Sequence, residues 1–276
     1  VTVAAEVREL GIGDLPRCLA LARDRDWAAE TRAWLLLLEI GRVYGIEDPD
    51  GSLAATVSVV EYGPALAAVG ALLVARRHAG RGVGTALVRS AVDRTTAATV
   101  WLTATPAGAP LYRAAGFRPV GGYVRYSGTP EVPGRPASRT ADVGDLPALV
   151  RLDATALGAS RPAVLANLFS VATVARVVDG PDGPLGYGMS WRGARSHVLG
   201  PVVAVDERVA ATLVADLARD VGGPLRIDLP ASGPALVTWA ERHGLTAGPA
   251  TAEMVLGADP PGARRWVRTF ATGALG

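Results

Sequence analysis

The segment "ARRHAGRGVGT" at Ala75–Thr85 places Gly80, Gly82 and Gly84 between an apolar run ending in Leu72, Leu73 and Val74 and a helix-like run, "GTALVRSAVDR". Glycines in such a turn let the backbone lie close against a ligand. The helix that follows offers unpaired N–H groups and the positive end of its dipole, which suits a phosphate or pyrophosphate. The competing reading is a glycine-rich turn with no ligand. Two familiar phosphate motifs fit poorly. A P-loop needs a Lys after its last glycine, and the chain has no Lys. A dinucleotide fingerprint needs a glycine where Thr85 stands. Downstream, "GAPLYRAAGF" carries Tyr112, whose O–H is able to donate a proton at short range. Read by itself, Tyr112 is equally an aromatic packed on an amphipathic helix.

These groups need a strand, a sharp turn and a helix in that order, and the chain writes that order twice. "GDLP" occurs at Gly13–Pro16 and at Gly144–Pro147. "PDGSL" at Pro49 answers "PDGPL" at Pro181, and "VGALLVA" at Val69 answers "LGPVVAV" at Leu199. "VGTALV" at Val83 answers "VAATLV" at Val209, and the segment from Ala104 answers the one from Asp228. The order never breaks, and the spacings run from 124 (Ala104 to Asp228) to 132 (Pro49 to Pro181) residues. The chain is therefore read as a tandem duplication. The join lies near the Pro- and Gly-rich "GTPEVPGRPAS" at Gly128–Ser138, giving halves 1–133 and 134–276. In each half GDLP should open a helix with Asp14 or Asp145 near the N-cap. A hairpin, an apolar strand, a crossover helix, a further strand and a further helix follow. That alternation predicts an α/β layer with the crossover helix joining neighbouring parallel strands.

Composition narrows the function classes. About half of the 276 residues are apolar, enough for a well-buried core. No apolar stretch approaches the ~20 residues that would span a bilayer. The start, "VTVAAEVREL", lacks the basic flank and apolar run of a signal peptide, so a cytoplasmic protein with no membrane partner is expected. The single cysteine, Cys18, excludes a disulfide framework and reads as a small buried hydrophobe. His78, His197 and His243 are too dispersed for a metal site, and none is expected. All 28 basic residues are Arg and the net charge is only +2, with no dense basic run, so no nucleic-acid partner is expected.

The wider arrangement resembles the acyl-CoA site of the GNAT N-acetyltransferase superfamily. Val74, Gly80, Gly82, Val83 and Gly84 match that family's V-x-P-x-x-R-G-x-G-I-G loop. Leu111, Tyr112, Gly116 and Phe117 match its A-x-x-L-Y-x-x-x-G-F segment. The second half resembles the same fold in eroded form, as in tandem GNAT proteins. The resemblance implies two GNAT-like domains, each a mixed, mostly antiparallel central sheet flanked by helices. It implies acetyl-CoA as co-substrate and an amine acceptor, on a small molecule rather than a protein, served by a monomer or homodimer. Backbone N–H groups of Ala79, Gly80, Arg81, Gly82, Val83, Gly84 and Thr85 would hold the pyrophosphate. The strand edge at Leu72, Leu73 and Val74 would bind the pantetheine arm and polarise the thioester carbonyl. Tyr112 would protonate the departing thiolate.

The chain departs from the family pattern in several places. Ala79 stands where an Arg or Gln opens the loop, Arg76 at the proline position and Thr105 at a frequent Asn. Ala68 stands where some members carry a glutamate base. The base is then a water chain, a carboxylate such as Glu61 or Glu39, or unnecessary for an amine already neutral. The contrasting reading is a non-catalytic acyl-CoA-binding module or sensor. Trp27, Trp34 and Tyr62 fall in the segment that would wrap the acceptor side, and Trp191, His197 and Trp239 could face it from the second half. Each is equally a packing residue. One of Arg76, Arg77 and Arg81 could reach the CoA phosphates. The second half reads "VDERVAAT" where the first reads "ARRHAGRGVGT", with no glycine, Asp206 and Glu207 at the turn, and Ala240 in place of Tyr112. It is expected to bind no CoA and to serve as scaffold or as one wall of the acceptor cleft.

Overall fold

A computed structural model of the chain describes residues 6–28 and 30–275. Residues 1–5, on which the reading of the N-terminus rests in part, lie outside the described residues. The first half runs β1 (Val7–Leu10), α1 (Leu15–Asp24), α2 (Thr31–Ile40), β2 (Arg42–Glu47), β3 (Leu53–Glu61) and β4 (Leu66–Val74). It continues through α3 (Val83–Val92), β5 (Thr99–Ala104), α4 (Ala109–Ala114) and β6 (Arg118–Gly128). The second half repeats that order as β7 (Arg139–Thr140), α5 (Leu146–Leu157), α6 (Pro162–Val171), β8 (Ala172–Gly180), β9 (Gly183–Arg192) and β10 (His197–Ala204). It closes with α7 (Glu207–Val221), β11 (Leu225–Pro230), α8 (Pro234–Arg242), β12 (Thr246–Gly257) and one added strand, β13 (Val267–Thr269).

The duplication predicted from the repeats is present element by element, down to the ion pairs at its start. Each GDLP opens a short 3-10 turn that runs into α1 or α5. The aspartates do not cap those helices with their side chains. Asp14 turns back to accept from Gly11 N–H at 2.9 Å and pairs with Arg8 at 2.7 Å. Asp145 does the same with Asp142 N–H and Arg139, each at 2.8 Å. A further carboxylate from the hairpin, Glu47 or Asp179, joins each arginine. The Arg-led segment before each GDLP is thus one half of a conserved clamp tying β1 or β7 to the helix start. The clamp satisfies the N–H three residues back rather than the helix's own orphan donors.

Both crossovers behave as expected: β4 and β5 are parallel around α3, and β10 and β11 are parallel around α7. Most other pairings are antiparallel. The two sheets are, however, fused into one, in the order β1-β2-β3-β4-β5-β12-β6-β11-β10-β9-β8-β7. That order reads the same from either end once the halves are exchanged. Each half's last long strand has crossed over: β12 pairs with β5, β6 pairs with β11, and β6 and β12 pair with each other at the centre. Nothing in the strand sequences announces this, because β6 and β12 present similar edges to either neighbour. The exchange leaves no free sheet edge between the halves. Helices α3 and α4 cover one face of the first half and α7 and α8 the corresponding face of the second. Helices α1, α2, α5 and α6 share the other face over one joint core that includes Trp34, Leu37, Leu165, Trp101 and Phe270.

Candidate active site

The site begins with a fork in the sheet. β4 and β5 pair only from Leu66↔Thr99 to Ala68↔Trp101. Beyond Ala68, β5 follows β12 while β4 stays with β3, so the two strands part. Where they part, β4 is bulged: Ser58 of β3 faces Gly70, Thr56 faces Leu73, and Val57 alone spans Ala71 and Leu72. Ala71 takes φ +46, a left-handed conformation that costs a residue with a Cβ, and Thr56 Oγ1 holds its carbonyl at 3.0 Å. The bulge re-aims the edge that runs through Leu72, Leu73 and Val74 into the fork. That edge has no strand partner on the β5 side among the described residues.

At the mouth of the fork the chain turns through Arg76–Gly82 into α3. Gly80 and Gly82 have φ of +74 and +77, and a Cβ built on either meets nothing within 4 Å. Their glycine identity therefore serves conformation and leaves open space above the loop. Val83, Gly84 and Thr85 form the first turn of α3, whose N–H groups have no intrahelical partner. The N–H groups of Ala79 and Arg81 instead turn to Arg76 O at 3.2 Å and His78 O at 3.4 Å. Gly84 has a packing duty: a Cβ there would stand 2.7 Å from Leu111 Cδ1 and 3.1 Å from Val74 Cγ2. Its absence lets α4 close on β4. Arg76 is tied to Asp24 and Asp26, and Arg77 to Asp48 and Ser52. Arg81 is exposed and makes no ion pair among the described residues, so of the three it is free to meet an anion.

Tyr112, next to Leu111 on α4, is 7% exposed and packs edge-on to Phe117 at 5.8 Å. Its ring rests on the open flank of Gly108, 3.5 Å from where a Cβ would be. Burial pushes its phenol well above the ordinary value, so it stays protonated. Its hydroxyl makes no hydrogen bond among the described residues, leaving the donor unspent. Thr105, at the frequent Asn position, accepts from Gly108 N–H at 3.2 Å and thereby starts α4.

The opposite face of the fork carries the features sequence reasoning missed. The segment after β13 returns to the first half: Ala274 lies against Gly70 so closely that a Cβ on Gly70 would overlap it, and Thr103 Oγ1 donates to Gly273 O at 3.3 Å. Tyr62 and Arg161 donate to Leu275 O, each at 2.7 Å. Ser58, beside Gly70, buries a hydroxyl with no partner. Trp34 and Trp191 are buried, Trp27 is half exposed and Trp239 stacks on His243. Glu61 is engaged by Thr95 near the closed end of the fork, away from the bulge. Cys18 is fully buried, and burial raises its thiol to about 11, consistent with an inert core residue. No cluster of His, Cys, Asp or Glu fit for a metal occurs among the described residues. No helix among them is long and apolar enough to cross a membrane.

In the second half the corresponding features are filled by the chain itself. β10 and β11 part after Leu199↔Ile227, as β4 and β5 do. There β13 enters the fork and pairs with Val202 and Val203, which answer Leu72 and Leu73. Those two residues also pair with β9 on their other side, so β13 takes the edge that stays open in β4. Asp206 caps α7 by accepting from Val209 N–H at 2.8 Å, putting a carboxylate at the helix N-terminus. Ala240 is fully buried.

Comparison with known proteins agrees with this architecture. Residues 6–117 match the Acetyltransferase (GNAT) family and residues 149–267 match an Acetyltransferase (GNAT) domain. The chain is 31% identical over 204 residues to the uncharacterized N-acetyltransferase YitH of Bacillus subtilis (strain 168), covering 71% of each. A provisionally assigned acetyltransferase of Pyrococcus horikoshii superposes with a TM-score of 0.84 at 20% identity, over 100% of this chain and 98% of that one. A tandem GNAT protein from the clavulanic acid biosynthesis pathway superposes with a TM-score of 0.66 at 14% identity, over 93% of this chain and 99% of that one. The site and fold define an acyltransferase. The chain belongs to the GNAT N-acetyltransferases, as a tandem member with both halves of that fold.

Proposed function

We propose that the first half, residues 1–133, transfers an acetyl group from acetyl-CoA to a primary amine within a ternary complex, and that residues 134–276 act as scaffold and cleft wall. The observation that carries this reading is the open fork: an unpaired, bulged β4 edge runs into a glycine turn, and α4, which packs on that edge through Leu111, carries a protonated phenol with no hydrogen bond among the described residues. The thioester supplies an activated acetyl group whose carbonyl carbon the amine attacks. The edge at Leu72, Leu73 and Val74 lines up the pantetheine amides, and the backbone at the bulge donates to the carbonyl oxygen as charge develops there. The amides of Gly80 and Gly82 and the first turn of α3 hold the pyrophosphate, with Arg81 above them. As the C–N bond forms and the C–S bond breaks, Tyr112 gives its proton to the sulfur and regains one from solvent; the amine's proton leaves to water. No side-chain nucleophile is used, since the one thiol is sealed in the core.

The acceptor is a small molecule, and neither nucleic acid nor membrane takes part. The reading is tested by release of free thiol from acetyl-CoA across a panel of primary amines, with mass spectrometry of the product. Amine-dependent thiol release with N-acetyl product is the expected result. Acetyl-CoA binding without release, for any amine or peptide, would mean a binding module instead.

A further inference from the structure

A pocket of about 260 Å³ opens between α2 and α6 on the acceptor face, and the scheme above gives it no role. Leu35 and Leu36 of α2 wall one side and Leu168 of α6 the other, with Trp191 of β9 and Thr272 beyond β13. Trp191 is 4% exposed and buries its indole N–H without an acceptor, so the chain leaves a polar donor unsatisfied beside the pocket. Thr272 fixes how far the pocket lies from the reacting centre. Ala274, two residues on, rests against Gly70 at the bulge, and two residues span at most about 7 Å. The segment between is a fixed wall, since Phe270 is held between Trp101 and Tyr123 at 4.9 and 4.2 Å and Leu275 is held by Tyr62 and Arg161.

We infer that this pocket holds the body of the acceptor, and that the acceptor is an apolar monoamine of arylalkyl size. The inference rests on the transferase reading above. The walls are apolar, and the volume exceeds the roughly 150 Å³ of an engineered apolar cavity that takes a benzene ring, so a ring with a short alkyl arm fits. Glu39, exposed at the rim of the pocket, has no ion pair among the described residues, so it attracts a cationic amine from solvent without holding it in the pocket. Arg32 lines it too, seven residues earlier on the same helix and so about 10 Å away, where it opposes a second cation. That disposition selects against diamines.

Phenethylamine is the probe, with methylamine and putrescine as comparators, on the full chain. With acetyl-CoA saturating, kcat/KM for phenethylamine should exceed that for either comparator by more than tenfold, the scale of burying one ring. Ala33→Trp, which fills the pocket from α2, should bring the phenethylamine value down to that of methylamine while acetyl-CoA affinity holds. Calorimetry of phenethylamine on CoA-loaded protein gives a readout free of turnover: binding in the native chain, lost in Ala33→Trp. Transfer to amines with no preference, or a preference that Ala33→Trp leaves intact, overturns the pocket assignment and leaves the transferase reading standing. Binding lost in Ala33→Trp but no transfer to any amine upholds the pocket and overturns the transferase reading. Neither binding nor transfer overturns both.

Discussion

Replacing Tyr112 by Phe removes one oxygen and leaves everything that holds the ring. The ring keeps its edge contact with Phe117 at 5.8 Å and its seat on Gly108. The hydroxyl has no hydrogen bond among the described residues, so stability should change by no more than about 0.5 kcal/mol. Its loss in catalysis is larger. A general acid contributes roughly 10²–10⁴-fold, and water in the fork recovers part of that, so kcat should fall by about 10- to 1000-fold. In barrier terms that is about 1.4–4 kcal/mol. KM for acetyl-CoA should hold, because the pyrophosphate cradle and the β4 edge are untouched. The pH profile adds a second signature. Burial raises the phenol's pKa, so the acid form persists through its ordinary value near 10 and is lost only above it. The native enzyme should therefore show no alkaline fall in kcat below about pH 10. Steady-state thiol release from pH 6 to 10, with thermal melts of both proteins, decides the matter. An unchanged kcat would refute the acid role, and a collapsed melting temperature would show that Tyr112 is held for packing.

Further expectations separate the roles of neighbouring groups. Gly82→Val forces a β-branched residue to φ +77 in open space, so acetyl-CoA affinity by calorimetry should drop more than tenfold with the fold retained. Gly84→Val drives a side chain into Leu111 and Val74, and should cost about 1–3 kcal/mol of stability in denaturant titration. The Arg8 guanidinium holds the Asp14 carboxyl well below its ordinary value, so that stabilisation is present above about pH 4 and is lost as the pH falls. Asp14→Asn should lower Tm by about 2–4 °C at pH 7 and by less at pH 3, for roughly 1 kcal/mol. Acetyl-CoA titration should give a stoichiometry near one per chain, and two equivalent sites would contradict the filled fork at β10.

What the sequence showed, and what it withheld, follows from the range of the interactions. The glycine turn, both crossovers and the repeat are local patterns, and each appears where the residues placed it. Asp14 and Asp145 were expected as helix caps because local spacing sees the helix start; it does not see Arg8 or Arg139, six residues upstream, which claim both carboxylates. The exchange of β6 and β12 was invisible for a stronger reason. It is a choice of neighbour between strands whose alternation suits either partner, and it is settled by pairings more than 100 residues apart, such as Val100↔Leu256. The returning segment at Thr272–Leu275 was missed on the same ground. "FATGALG" has the composition of a loop, and only the tertiary fold brings it to Gly70.

The exchange also accounts for why a half with its ligand features filled is still present. β12 pairs with β5 along its whole length, from Thr99 to Ala104, and so keeps β5 in the sheet where it leaves β4. Without β12, β5 would expose that edge. Glu253 on β12 accepts from Trp101 Nε1 at 2.6 Å and pairs with Arg264 at 2.9 Å, so the second half also fixes Trp101 in the core shared by α1, α2, α5 and α6. The last contribution comes from the degenerate fork. By seating β13 along Val202 and Val203, it anchors the chain just before Phe270, and from that anchor the next five residues reach the bulge at Gly70. The edge that answers the first half's open β4 edge now holds a strand of the protein, and that strand positions the segment that meets the bulge across the pseudo-twofold axis.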